Sequence, residues 1–267
     1  MSLTQAVELI QDYDTVGIGG NVLHRAPMAL VREIARQNKK GLHIVKTAGA
    51  MDVDLLCLAE CVSSVDAGFI SYETEYSLAT HYRKAVQNGV VKGNEHACYT
   101  VISALRAATA GIPFMPVKGL QISDLIEVND YFTRIQDPFS GEMVTVVKAI
   151  EPDVVILHVQ EADKNGNARI LGPKYDDVLL SRAGKKVILT AETIVPESKF
   201  SFSLDKADIP FFLVNAVVHL PKGASPCSCA TKYSIDRKNL DSFKAIKDKE
   251  ELKSYLDNFK TIDYPRY

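Results

Sequence analysis

Residues Val16–Arg36 read VGIGGNVLHRAPMALVREIAR, a run of glycines where a strand should end, followed by His24, Arg25 and Pro27 and then a helix. Met28, Leu30, Val31, Ile34 and Ala35 form an apolar stripe at helical spacing, and Pro27 stands where a first helical turn tolerates it. Lys39, Lys40 and Gly41 supply a basic last turn and a glycine stop, and LHIVKT then reads as the next strand. Upstream, Leu3, Ala6, Val7, Leu9 and Ile10 recur at helical spacing behind Ser2, an N-cap residue, and Thr15 to Ile18 is a short strand. Strand, glycine turn, helix and strand in that order predict a parallel unit.

The alternation continues along the chain. A helix is expected around Asp54 to Glu60, a strand around Val65 to Ile70, a helix from Ser77 to Gln87 closed by Gly89, and another from Tyr99 to Ala110 closed by Gly111. DVVILHV (Asp153 to Val159) is apolar at consecutive positions, which suits a strand covered on both faces at the sheet centre. EADKNGNARI places Asn165 and Gly166 between two extended runs, a hairpin signal. KKVILTAE and PFFLVNAVVHL read as two more buried strands, Phe114 and Met115 as core, and the polar C-terminus from Asn239 onward as a terminal helix. With no repeat and no break in composition, residues 1–267 read as one α/β domain, an open, mostly parallel sheet covered by helices, with hairpin insertions.

A chain of 267 residues with 46% hydrophobic and 24% charged residues and a net charge of -2 has no electrostatic reason to seek nucleic acid. The five cysteines (Cys57, Cys61, Cys98, Cys227 and Cys229) do not form the two-residue-spaced pair of a zinc or redox motif, so reduced thiols are expected. The first residues, MSLTQAVELIQDY, lack a basic stretch followed by an apolar core, and no apolar run reaches membrane-spanning length. A cytoplasmic protein without membrane association is the expectation.

The glycine turn fits neither common nucleotide cradle. Counting from Gly17 and Gly19, the third glycine of a dinucleotide fingerprint would fall on Val22, and no lysine followed by serine or threonine closes a phosphate loop. One reading is a tight turn that only lets backbone pass close to a neighbour. Equally, consecutive N–H groups near a helix start can converge on an anionic oxygen, and Arg25 adds a fixed charge beside them. The turn is thus suited to an anion or to a thioester carbonyl.

Several stretches, in order, carry a family resemblance: GIGGNVLHRAPMALVREI, then YETEYSLATHYRKAVQNG with LRAATAGIPFMPVKGLQISDL, then IEPDVVILHVQEADKNGNARILGP, and VNAVVHLPKGASPCSC. Together they resemble the α subunit of a class I coenzyme A transferase of the glutaconate CoA-transferase type, whose fold is related to the Rossmann arrangement. Two departures stand out: Asn21 where that family usually has phenylalanine, and Ser225 where its late loop commonly has histidine. The resemblance implies a hetero-oligomer in which the nucleophilic glutamate belongs to a β subunit, within a Glu-Asn-Gly type motif. No such motif occurs here, and Gln87-Asn88-Gly89 reads as a helix stop. It further implies coenzyme A as a substrate, no permanently bound cofactor, acyl-CoA and a carboxylic acid as the small-molecule partners, and no activity from this chain alone.

On that reading Gly19, Gly20 and Asn21 are expected to offer backbone and amide donors to the substrate, with Arg25 either aiding the anion or pinning the helix start. Ser71, Tyr72 and Glu73 follow a strand end, where open α/β sheets place ligands; Ser71 is the candidate contact for a substrate carboxylate, against the plainer reading of a solvated loop serine. Some relatives of the family are hydrolases that open a ring in CoA thioesters with an acidic residue of the α-type chain. Glu95, beside His96, is the residue to test for that role, against the plainer reading of a first-turn acid. His158, His219, Cys227 and Cys229 read as core, edge or loop-wall residues, and no metal is expected. A hydrolase on the same scaffold and a noncatalytic sensor of a CoA ester or sugar phosphate are the alternatives to transfer.

Overall fold

The computed structural model describes residues 1–72, 76–120, 123–201 and 207–265. Helix α1 (Leu3–Glu8) starts at Ser2, whose side chain accepts from the Gln5 N–H while the Gln5 side chain reaches back to the Ser2 N–H, a reciprocal cap. Then follow β1 (Thr15–Ile18), α2 (Met28–Arg36), β2 (Leu42–Gly49), α3 (Met51–Leu58), β3 (Val62–Ile70), α4 (Thr80–Gln87), β4 (Lys92–Glu95) and α5 (Cys98–Thr109). A small antiparallel sheet comes next, built from β5 (Phe114–Pro116), β6 (Phe132–Gln136) and β7 (Met143–Lys148), with the short α6 (Leu125–Val128) between its strands. The chain returns to the main sheet with β8 (Val154–Ala162), β9 (Ala168–Arg169), α7 (Asp177–Ala183), β10 (Val187–Ile194), α8 (Ser198–Ser201) and β11 (Ala216–His219). It finishes with α9 (Arg237–Lys244), α10 (Lys249–Asn258) and α11 (Lys260–Asp263).

The main sheet runs β11-β10-β8-β1-β2-β3-β4, parallel throughout, with β9 added antiparallel to β8 through the hairpin at Asn165 and Gly166. β8 lies between β1 and β10, which explains its apolar run, interrupted only by His158: Val154, Val155, Ile156, Leu157 and Val159 are all fully buried. The two faces are distinct. Ile44, Val65 and Ile156 pack with α1 to α4 and the C-terminal helices on one side, while Val45, Val155 and Leu157 pack with α5, α7 and the small sheet on the other. Glycines at 89 and 111 take φ of +69° and +67° just past α4 and α5, as the helix stops require, whereas α2 stops at Asn38 (φ +53°), whose N–H donates to the Ala35 carbonyl, and the expected stop, Gly41, lies beyond that helix end. Among the described residues no helix is long and apolar enough to cross a membrane.

Three further expectations change. PFFLVNAVVHL is not a single buried strand: Pro210 leads into a 3-10 turn (Phe211–Leu213), closed by the Leu213 N–H on the Pro210 carbonyl, and only Ala216–His219 joins the sheet, as its edge. Phe211 and Phe212 are accordingly exposed. Phe114 is exposed rather than core, because β5 is an edge strand of the small sheet. The polar C-terminus holds three helices in place of one, broken where Asp248 caps α10 through the Glu250 and Glu251 N–H groups.

The last helix is locked to the second by Arg32, fully buried on α2. Its Nε and Nη2 donate to the Asp263 carboxylate at 2.8 and 2.5 Å, its Nη1 donates to the Ser225 carbonyl at 2.6 Å, and its guanidinium lies 4.1 Å from the Phe259 ring centre. Arg36 Nη2 also lies 2.7 Å from Asp263 Oδ2, so removing Arg32 leaves that carboxylate one cation but takes away three charge-assisted hydrogen bonds. Arg32→Met is therefore expected to lower unfolding free energy by about 3–5 kcal/mol, measured by urea denaturation followed by circular dichroism.

Candidate active site

In an open α/β sheet, ligands bind outside the carboxyl ends of the strands where the strand order reverses. Here the order leaves β1 toward β2 on one side and toward β8 on the other, so the reversal falls between β1 and β8. The turn that leaves β1 at that point is Gly19-Gly20. A methyl group on Gly19 would lie 2.2 Å from Leu157 Cδ2 and 2.6 Å from Asp177 Oδ1, and Gly20 has φ +76° with the backbone of Arg25 and Ala26 within 2.6 Å of where a Cβ would stand. Both positions exclude any side chain.

Strain continues beyond the glycines. Val22 and Arg25 have φ of +49° and +57°, and the backbone of Asn21 and His24 exchanges two hydrogen bonds (2.9 and 2.8 Å) across a tight reversal. A β-branched residue in the left-handed region costs about 1–3 kcal/mol and persists only where the surroundings impose it. The imposition comes from buried charges on both faces of the sheet.

From the α3 side, Lys46 is wholly buried. Its Nζ donates to the Gly19 carbonyl at 2.6 Å and lies 3.3 Å from the carbonyls of Ile18 and Gly20, with Asp52 Oδ2 at 2.8 Å as counter-ion. From the α7 side, Asp177 Oδ1 accepts the Gly20 N–H at 2.7 Å while Oδ2 pairs with Arg25 Nη1. Arg25 also donates to the carbonyls of His158 and Pro173 at 3.0 Å each and lies over the Tyr175 ring. Of the two roles open to Arg25, this geometry gives the anchor.

The amides expected to face the substrate are engaged inside the chain. The Gly19 N–H donates to the Ile156 carbonyl (3.0 Å), the Gly20 N–H to Asp177, and the Asn21 N–H to the His24 carbonyl (2.9 Å). What the turn still offers is the half-buried Asn21 side chain, whose carboxamide makes no hydrogen bond within the described residues. Tyr72 is buried and its hydroxyl donates to Asp54 Oδ2 at 3.0 Å; Ser71 Oγ donates to the Ser77 carbonyl at 2.9 Å, and Glu73 lies outside the described residues. Glu95 is exposed at the end of β4, while His96 is buried between Tyr131 and Phe132. Neither reaches the Gly19-Gly20 turn through any hydrogen bond or ion pair among the described residues.

Beside the turn opens a cleft of about 650 Å³ lined by His24, Tyr76, Ser228, Lys232, Tyr233 and Arg237. His24 Nδ1 lies 2.7 Å from Ser228 Oγ, joining the turn to the late loop. Beneath the cleft His158, Glu192 and Cys229 bring ligand-type atoms within 4.8 Å of one another. Hydrogen bonds already occupy the imidazole and the carboxylate: His158 meets Thr190 Oγ1 at 2.8 Å and Glu192 Oε1 at 2.7 Å, and Glu192 also accepts from the Tyr233 hydroxyl and the Lys222 N–H. Burial holds the His158 pKa down, so the neutral ring with its proton on Nε2 serves both neighbours, and burial pushes the Cys229 thiol up to about 12.

Several of these residues escape a reading of the sequence. Lys46 shows only as one charge in an apolar strand, and the Asp176-Asp177 pair only as acids at a helix start. Asp176 accepts from Thr47 Oγ1 at 2.7 Å through one oxygen, and its other oxygen is buried without a partner. Burial, and then the Asp177 charge beside it, pushes the Asp176 pKa up to about 6.

The description of a coenzyme A transferase fits residues 1–220. An uncharacterized protein of Archaeoglobus fulgidus is 36% identical over 97% of this chain, which spans 58% of that protein's length. One of the subunits of the 3-oxoadipate CoA-transferase of Pseudomonas knackmussii is 30% identical, over 97% of this chain and 92% of its own length. Among solved structures, glutaconate coenzyme A-transferase of Acidaminococcus fermentans superposes with a TM-score of 0.90 at 29% identity, covering 97% of this chain and 87% of that one. The decarboxylase AibA/AibB superposes with a TM-score of 0.88 at 31% identity, covering 98% and 97%.

The raised pKa of Asp176 has a testable sign. A carboxyl that binds its proton more tightly folded than unfolded contributes stability that is complete below pH 3.8 and lost as pH rises through about 6. Asp176→Asn, which still accepts from Thr47, is expected to raise stability at pH 7.5 by on the order of 3 kcal/mol. It should also flatten the wild-type decline between pH 4 and 6 in denaturation curves.

Proposed function

The chain belongs to the coenzyme A transferase family, and from that membership we propose that it is the α-type chain of a two-chain enzyme moving coenzyme A between an acyl-CoA and a carboxylic acid. The observation that carries the reading is the likeness along 97% of this chain to a protein that is itself one subunit of a CoA-transferase. The carboxylates nearest the turn agree with it: Asp52, Asp176 and Asp177 are all buried, so none stands ready to attack a thioester. The nucleophile then comes from a partner β subunit.

In the proposed reaction a partner glutamate oxygen attacks the thioester carbonyl and CoA thiolate leaves, giving a mixed anhydride. The thiolate then attacks the glutamyl carbonyl and releases the first acid as its carboxylate, leaving a glutamyl thioester. A second carboxylate repeats the steps in reverse and departs as the new acyl-CoA, so the thioester bond energy is kept. Each attack places negative charge on a carbonyl oxygen, and a fixed donor at that point lowers the barrier. The Asn21 carboxamide is the donor this chain supplies, held at the mouth of the crevice by the strained turn. The adjoining cleft gives room for the acyl group, and its hydroxyl and cationic lining suits a short polar acyl chain better than a long alkyl one. Water would hydrolyse both covalent intermediates, so the partner must also close the crevice.

Co-expression with the product of the adjacent gene, followed by transfer of CoA between acyl-CoAs and isotopically labelled carboxylic acids, tests the proposal. Label entering the CoA ester only when both chains are present is the expected result; transfer by this chain alone, or release of free acid without transfer, would overturn it. Within an active complex, Asn21→Ala is expected to lower kcat about a hundredfold while leaving the melting temperature unchanged. Gly20→Val, which drives a side chain into the Arg25 backbone, should reduce turnover at least as much and destabilise the chain as well.

A further inference from the structure

Lys46 has more hydrogen-bonding reach than its ion pair requires. Asp52 serves two roles: Oδ2 is the counter-ion of Lys46, and Oδ1 accepts the N–H groups of Ala50 and Val53 at 2.9 Å each, at the start of α3. A buried lysine–aspartate pair taken by itself is no more stabilising than an apolar pair of similar volume. What an apolar pair could not do is donate to the carbonyl oxygens of Ile18, Gly19 and Gly20. The β1–β2 register is paired only as far as Gly17 and Val45, so the Lys46 ammonium takes over as donor just where the backbone ladder stops.

The peptide bond turns this into control of direction. In a trans peptide the C=O and the following N–H point opposite ways in one plane. Lys46 holds the Gly19 carbonyl from one face of the sheet and Asp177 holds the Gly20 N–H from the other, so one peptide unit is fixed at both ends. The next unit has its Gly20 carbonyl facing Lys46 and its Asn21 N–H on the His24 carbonyl. Those two planes fix the Asn21 N–Cα bond, and the His24 N–H held on the Asn21 carbonyl at 2.8 Å restrains rotation about it, so together they set where the Asn21 Cα–Cβ bond points.

We propose that Lys46 is a positioning residue of the transfer site: by fixing the Gly19 and Gly20 carbonyls it sets the direction of the Asn21 carboxamide without touching the substrate. The proposal rests on the reading of this turn as the transfer site. It accounts for a fully buried cation in the middle of a strand of the main sheet. It also predicts that the charge pair can be removed without loss of fold, while the turn cannot do without its donor.

Four forms of the full chain, assembled with its partner, test this: wild type, Lys46→Met, Asp52→Asn and the double variant. Each single variant should lose stability, because it strands a buried charge, whereas the double variant, which keeps the helix-start acceptor at residue 52, should return close to the wild-type denaturation midpoint. In the double variant the amides of Gly20 and Asn21 should nonetheless exchange with deuterium at least about tenfold faster than in wild type. Its kcat should fall about a hundredfold with little change in KM, as expected when reacting groups are misplaced by an ångström or so. A double variant of wild-type stability that keeps wild-type exchange at the turn, or keeps wild-type kcat in an active complex, overturns the proposal. If the wild-type complex transfers no CoA, the function proposed above fails, and the exchange comparison alone decides whether Lys46 holds the turn.

Discussion

One peptide group, between Gly19 and Gly20, is the point on which the rest of the crevice depends. Its carbonyl is drawn toward a buried ammonium on one face of the sheet and its N–H toward a buried carboxylate on the other. Glycine is required on both sides because neither face leaves room for a methyl group. Everything that lines the crevice is placed relative to this group: the Asn21 reversal, the His24 contact to the late loop, and the start of α2. The left-handed backbone at Val22 and Arg25 follows from it, since the chain has to double back within a few residues to enter the helix.

Holding such a group in place needs charge, and the structure arranges that charge in closed circuits. Lys46 is balanced by Asp52, and Arg25 by Asp177, so neither clamp leaves a net charge in the interior. Asp176 is the exception, a carboxyl with one oxygen unpartnered beside a like charge, and its proton affinity rises accordingly. The His158–Glu192–Tyr233 network under the cleft is satisfied at every atom that the imidazole and carboxylate offer, which makes it a rigid floor for the late loop.

Much of this fold could be read from local pattern. β1, α2, the glycine stops of α4 and α5 and the hairpin after β8 announced themselves through periodicity and turn residues, because those signals lie within a few residues of one another; only the stop of α2 fell earlier than expected, on Asn38. PFFLVNAVVHL misled, since an apolar run does not disclose that Pro210 will bend its first half outward. The small antiparallel sheet was legible only as insertions, its strands being short and its apolar residues partly exposed. The site divided in the same way. Gly19, Gly20, Asn21 and Arg25 stood out as a cluster, but their hydrogen bonds did not: a turn amide that ends on a carboxylate 157 positions downstream carries no local mark. Lys46 and Asp177 are visible as unusual charges only after the sheet has brought them to opposite sides of the same peptide.

That separation along the chain shapes how the molecule must be assembled. β1, β2, β3 and β4 can pair in the order in which they are made, each with its predecessor, at modest loop-closure cost. β8 must instead find the far side of β1 after the whole intervening stretch has been synthesised, and α7 delivers Asp177 later still. The glycine turn thus has one clamp, Lys46, close by in the chain and the other, Asp177, far away. The second clamp therefore depends on a contact that closes a long loop: the surface that meets substrate and partner is incomplete until the second half of the sheet has docked.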